Sequence, residues 1–283
     1  MNSELRTIGS TLITFHKTLA GCEAGNREAW RAFLGDYTPV VYQLFDVYLP
    51  ALRDGRARLW EEMLLALAAN NFERLRSFDH QAEREFLADL RSFLLERGAT
   101  KLEPAEDITR APKPAPDTVD ALLQGLPLIH QEILFLKLAG YSDGTLEKML
   151  RITPAIAQRG LERLQADYSA VLKKDRDACL WPAAWLELLA HARSAKSADC
   201  PPLRHFVRIL DGQTSWYEKE PIEKHVGLCL HCLERWTALR ELIYWRRGVK
   251  RLPETEVNAL VSRLSLRAQA KKEKPFLKRV WGA

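Results

Sequence analysis

AGYSDGTLEKMLRITPAIAQRGLERLQADY, residues 139–168, reads as a helix, a short turn and a second helix. Gly144 lies ahead of the first helix and Thr153-Pro154 opens the second. A threonine hydroxyl accepts from the unpaired N–H groups of a first helical turn, and the fixed φ of proline suits the first helical position. When such a pair docks on DNA, the second helix enters the major groove, its early residues meet base edges and flanking cations meet phosphates. Those residues here are Ala155, Gln158, Arg159 and Arg163. A pair of short helices is also an ordinary packing unit, so the pattern by itself admits both readings.

Upstream, DALLQGLPLIHQEILFLKLAG continues the helical reading back to Thr118, and the unit runs on to about Lys174. The segment before it, KLEPAEDITRAPKPAPD (101–117), carries four prolines and few apolar residues, which predicts a linker. Before the linker, Trp30, Phe33, Leu34, Tyr37, Val41, Leu44 and Phe45 recur at steps of three and four, the spacing of a helix with one buried face. Pro39 interrupts that run and predicts a kink or break near Tyr37. Further helices are expected over about 57–75 and 81–96, the latter with Phe86, Leu87, Leu90, Phe93 and Leu94 on its apolar side. The fold class is therefore all-α, with a helical bundle over 1–100, the linker, a second helical unit over 118–175, and a connecting tryptophan-rich helix within 176–199 (WPAAWLELLAHARSA, 181–195).

Beyond that helix the chemistry changes. The chain has five cysteines, and Cys200, Cys229 and Cys232 fall within 33 residues, alongside His225. Two thiolates three residues apart can grip one tetrahedral ion, and a histidine four residues earlier shares their side where the segment is helical. Cys200 supplies the distant fourth ligand, so residues 200–247 read as a small domain stapled by Zn2+, with Gly227 at the bend between two helices. His205 and His231 compete as ligands; His231 points away from a face carrying Cys229 and Cys232. Thiolate and imidazole ligands favour zinc. Four protein ligands leave no open position for a substrate water, and Gly227 stands where a deaminase would place its glutamate. With no phosphate-cradling glycine loop and no nucleophile and base pair, the chain is not expected to be an enzyme.

The net charge is +5, but the last 38 residues hold 11 Lys and Arg against 3 Glu, a net of +8, which leaves −3 elsewhere. Residues 248–283 thus read as a basic tail, either solvated or in contact with nucleic acid or an acidic partner. No apolar run approaches the roughly 18 residues that span a bilayer, and the polar-interrupted N-terminus does not resemble a signal peptide. A cytoplasmic protein without a membrane span is expected.

Two resemblances add to this. LQGLPLIHQEILFLKLAGYSDGTLEKMLRITPAIAQRGLERLQADY (123–168), with Leu126-Pro127 before its first helix and Gly140-Tyr141-Ser142 after it, is similar to the promoter-reading domain of extracytoplasmic-function RNA polymerase sigma factors. EAGNREAWRAFLGDYTPVVYQLF (23–45), RLWEEMLLAL (58–67) and ERLRSFDHQAEREFLADLRSFLLERG (73–98) resemble, in order, that family's opening, polymerase-binding and promoter-melting helices. The likeness covers Gly25 to Lys174 and implies core RNA polymerase and promoter DNA as partners. Under it, Glu61 and Glu62 meet the polymerase and Phe86 and Phe93 serve melting. The chain departs from the family at Arg58, at Phe86 and Phe93 themselves, at Glu147 (usually small), at Arg151 (usually the turn glycine) and at Gly160 (usually a cation). CPPLRHFVRILDGQTSWYEKEPIEKHVGLCLHCLERWTALRELI (200–243), including Asp211-Gly212, resembles the zinc-binding anti-sigma domain, which implies intramolecular docking on the sigma-like modules. The alternative is a degenerate sigma-like adaptor acting through protein contacts without promoter recognition.

Overall fold

The computed structural model describes residues 15–76, 82–101, 125–160, 162 and 181–270, and among them the regular structure is helical, with no strand. The helices are α1 (15–23), α2 (Arg27–Tyr48), α3 (Arg56–Arg76), α4 (Glu83–Ala99), α5 (Leu128–Leu138), α6 (Asp143–Leu150), α7 (154–160), α8 (Trp181–Ser194), α9 (Leu203–Leu210), α10 (Trp216–Val226), α11 (Leu230–Gly248) and α12 (Glu254–Ala270). They form two compact units. One comprises Met1–Asp46, Leu52–Leu94 and Gly248–Ala283; the other comprises Val47–Ala51 and Leu95–Arg247.

In the first unit the seven apolar residues spaced along α2 are all buried. Phe86 of α4 sits at the centre of an aromatic cluster, with ring centroids 5.3 Å from Phe15, 6.0 Å from Phe33 and 5.8 Å from Tyr37. Trp60 of α3 is held by its indole N–H, which donates to Thr38 Oγ1 at 3.0 Å. Of the kink or break expected near Tyr37, the break is absent: α2 runs on through Pro39, and the helix finds a substitute for the donor that proline lacks. The carbonyl of Gly35, four residues before Pro39, accepts from the backbone N–H of Leu252 at 2.8 Å. Gly35 also makes room for this strap: a Cβ there would sit 2.7 Å from Arg251 Nε. Arg31 pairs with Glu254 at 2.9 Å and Arg251 with Asp36 at 3.6 Å, so the chain ahead of α12 is tied along α2.

α12 then packs on α3. Val257, Leu260, Val261 and Leu264 are its buried face. The basic stretch that reads as a tail therefore contains a helix with its own core contribution, at steps of three and four that the surrounding charge obscures. Residues 271–283, like most of the linker, lie outside the described residues.

In the second unit α5 is buried nearly all round, Gln131 and Glu132 included. A helix with no solvated face belongs at the centre of a packed unit. α7 approaches it closely through Gly160, where a Cβ would lie 2.7 Å from Ile133 Cδ1. Between α6 and α7, Arg151 adopts φ 57° and ψ 45°, a left-handed conformation that favours glycine, and it is the one non-glycine residue among those described with positive φ. An L side chain in that region costs about 1 kcal/mol or more. Arg151→Gly is accordingly expected to stabilise the protein by about 1 kcal/mol, read as a shift in urea midpoint without loss of helicity.

Candidate metal centre

The four ligands predicted from spacing converge at one helix junction. His225 is in the last turn of α10, Gly227 caps that helix, Cys229 precedes α11 and Cys232 lies in its first turn. α10 is anchored at its other end by a reciprocal cap, with Ser215 N–H donating to Glu218 Oε2 at 2.9 Å and Glu218 N–H donating to Ser215 Oγ at 3.4 Å. Cys200 enters from the segment ahead of α9, and α9 is braced on α11 by an edge-to-face contact of Phe206 with Trp236 at 5.8 Å.

The potential ligand atoms of Cys200, His225, Cys229 and Cys232 all lie within 4.8 Å of one another. Thiolates about 2.3 Å from a tetrahedral ion stand roughly 3.8 Å apart, and Cys200 Sγ and Cys229 Sγ are separated by 3.8 Å. His225 Nε2 is buried without a hydrogen-bond partner, a deficit that coordination would relieve. These residues are close enough to bind a metal ion, and the donor set is compatible with zinc. His231 is not among them: its Nδ1 donates to the carbonyl of Ala192 at 3.2 Å, which fixes the tautomer and turns the ring away. His205 is likewise outside the cluster.

The thiols are electrostatically coupled. Burial opposes ionisation of Cys200, yet the hydroxyl and backbone N–H of Ser197, with His225 and Cys232, bring its pKa down to about 6. Burial pushes the Cys229 and Cys232 thiols up, and for Cys232 the charge of Cys229 adds to it. One thiolate therefore forms readily and the next two resist until a cation balances them.

The other predicted site residues are distributed differently. Ala155, Gln158 and Arg159 are exposed on α7, whose start is capped by Thr153 Oγ1 accepting from Ile156 N–H at 3.4 Å. Gln158 bonds Glu162 at 2.9 Å and Arg159 Nε bonds the Ala155 carbonyl at 3.2 Å. Arg163 lies outside the described residues. Phe86 and Phe93 are core residues, 0% and 3% exposed, which corrects the expectation that they offer rings to bases: stacking needs an open ring face. Glu61, expected to meet the polymerase, is covered. It is 2% exposed and its carboxylate accepts from Arg263 Nε at 2.6 Å, while Glu62 stays half-exposed beside Arg58 at 3.4 Å.

The sequence reading missed a pair of buried carboxylates in the second unit. Glu132 Oε1 accepts from Trp236 Nε1 at 2.5 Å and Arg240 Nε at 2.8 Å. Glu241 Oε1 accepts from the hydroxyls of Tyr48, at 2.6 Å, and Tyr141. The available signal was Gln131-Glu132 ahead of the apolar run ILFL in LIHQEILFLKL, where two polar side chains on a buried helix demand partners.

Comparison with known proteins identifies no relative. No family model, curated protein or solved structure matches this chain. Among the described residues, no helix is long and apolar enough to cross a membrane.

Proposed function

We propose that this chain is a sigma-factor-like regulator of transcription initiation, directed at core RNA polymerase and promoter DNA, whose zinc-stapled C-terminal part restrains it from within. The reading starts from the sequence resemblance and rests on one structural observation: Glu61, on the helix resembling the polymerase-binding element, lies beneath α12 with its carboxylate on Arg263. A face covered by α12 is available to a partner only after that helix moves. In the second unit, α11 lies on α5 through Glu132, Trp236 and Arg240, which supports docking of the metal-bearing part on the segment that resembles the recognition module.

Arg263→Glu sets a negative charge against the buried Glu61 and should release α12. The expected result is about tenfold tighter binding of core polymerase than the unaltered chain, within the usual span of coupling between sites, measured by fluorescence anisotropy. If neither protein binds core polymerase, the reading fails.

The adaptor reading draws on a different observation, the burial of Phe86 and Phe93. A protein offering no ring for melting would still occupy polymerase. Polymerase binding without any sequence-dependent shift of promoter fragments selects it over promoter recognition.

A further inference from the structure

Gln131 lies on α5, 96 residues from Gly227 in sequence, and none of its atoms is a metal ligand. It is 2% exposed, and its side-chain nitrogen donates to two backbone carbonyls, Leu126 O and Gly227 O, each at 2.9 Å. Two carbonyl acceptors require the nitrogen at that position, so the amide orientation is settled by its partners. Gly227 is the turn residue between the ligands His225 and Cys229. Within the turn, Gly227 N–H bonds Glu223 O and Leu228 N–H bonds His225 O, each at 3.0 Å. The carbonyl of Gly227 is thus held from outside the metal domain, by the helix that the domain docks on. On its other flank the loop is tied by His231 Nδ1 donating to Ala192 O on α8 at 3.2 Å.

We infer that Gln131 is a positioning residue for the metal centre: its amide fixes the 226–229 turn and so sets the spacing of His225 and Cys229 around the ion. The consequence is a coupling between metal binding and docking of α5. If a docked α5 shapes the turn for the ion, the bound ion favours docking of α5 by the same factor, because linkage is reciprocal. The metal domain then does more than fold around its ion; its affinity reports whether the sigma-like recognition module is in place. This rests on the metal reading above and on no assumption about polymerase or DNA.

The test uses the full chain and Zn2+ alone, with affinity measured by competition against a chromophoric chelator. Gln131→Met keeps the volume and removes the donor; Gln131→Glu sets a carboxylate against two carbonyls. Outer-shell partners of this kind are worth roughly ten- to a hundredfold in metal affinity, and about tenfold weakening is expected for Gln131→Met. Arg240→Met is the comparator, since it removes a bond between the same two helices without touching the turn or the Phe206 contact that braces α9. It should lower the melting temperature while leaving zinc affinity within about twofold, as expected for a site that does not share the bond. Gln131→Met with unaltered zinc affinity overturns the inference, as does equal weakening by Arg240→Met. Should Gln131→Glu fail to fold, the near-isosteric Gln131→Met still decides. If the unaltered chain takes up no zinc, the metal reading itself falls, a result distinct from either of the others.

Discussion

Cys232→Ala is expected to reduce bound metal from one ion per chain to none, and with it to remove the stabilisation that zinc gives the second unit. Cys232 is buried at the start of α11, among three other donors, and among the described residues no fifth donor belongs to the cluster. Binding of structural zinc to small domains is worth roughly 10–16 kcal/mol at neutral pH. An ion present at about a thousandfold over its dissociation constant stabilises the folded form by about 4 kcal/mol. A chelator should therefore lower the unfolding free energy of the unaltered protein by about that amount and have no effect on Cys232→Ala. Cys22→Ala is the control, since that thiol is buried in the other unit, where burial holds it protonated. Elemental analysis with paired urea melts checks the result; full metal content in Cys232→Ala would refute the assignment. Affinity should also fall as pH is lowered, because Cys229 and Cys232 must surrender protons that burial makes them retain.

The second large effect is expected at Glu132. Its carboxylate has almost no contact with solvent and leans on Trp236 and Arg240, whose guanidinium also lies 5.5 Å over the Trp236 ring. Removing one partner of a buried ion pair costs about 3–5 kcal/mol, whereas replacing both by apolar groups is often neutral. Arg240→Met should accordingly cost about 3 kcal/mol, and Glu132→Met/Arg240→Met should recover most of it. Burial raises the Glu132 pKa, with Arg240 pulling it back. For an acid raised in the folded state, the contribution to stability is present below the unfolded pKa and lost as pH rises through the folded one. Without Arg240 that loss deepens, so Arg240→Met should be least damaging in acid and most damaging at neutral pH. Urea melts across that range measure it. A small cost independent of pH would mean that the pair does not hold α11 on α5.

Much of this site was legible because its geometry is local. A histidine, two cysteines and a bend within eight residues bring three donors together wherever they sit in a fold, and only Cys200 needed the path of α9 to arrive. The break expected at Pro39 is absent for the opposite reason: nothing near residue 39 reveals that Leu252 supplies the missing bond to Gly35. Phe86 and Phe93 show the same limit. An aromatic residue on an amphipathic helix has the same spacing whether it faces a core or a ligand, and only the neighbours Phe15, Phe33 and Tyr37 decide for Phe86.

From sequence alone, then, come the helices and the metal donors, since periodicity and ligand spacing are relations between residues a few positions apart. Which faces are covered was decided only by the tertiary structure. The bonds that cover them, Arg263 on Glu61, Trp236 and Arg240 on Glu132, and Gln131 on Gly227, join residues about a hundred or more positions apart, and no short-range pattern specifies such a pairing.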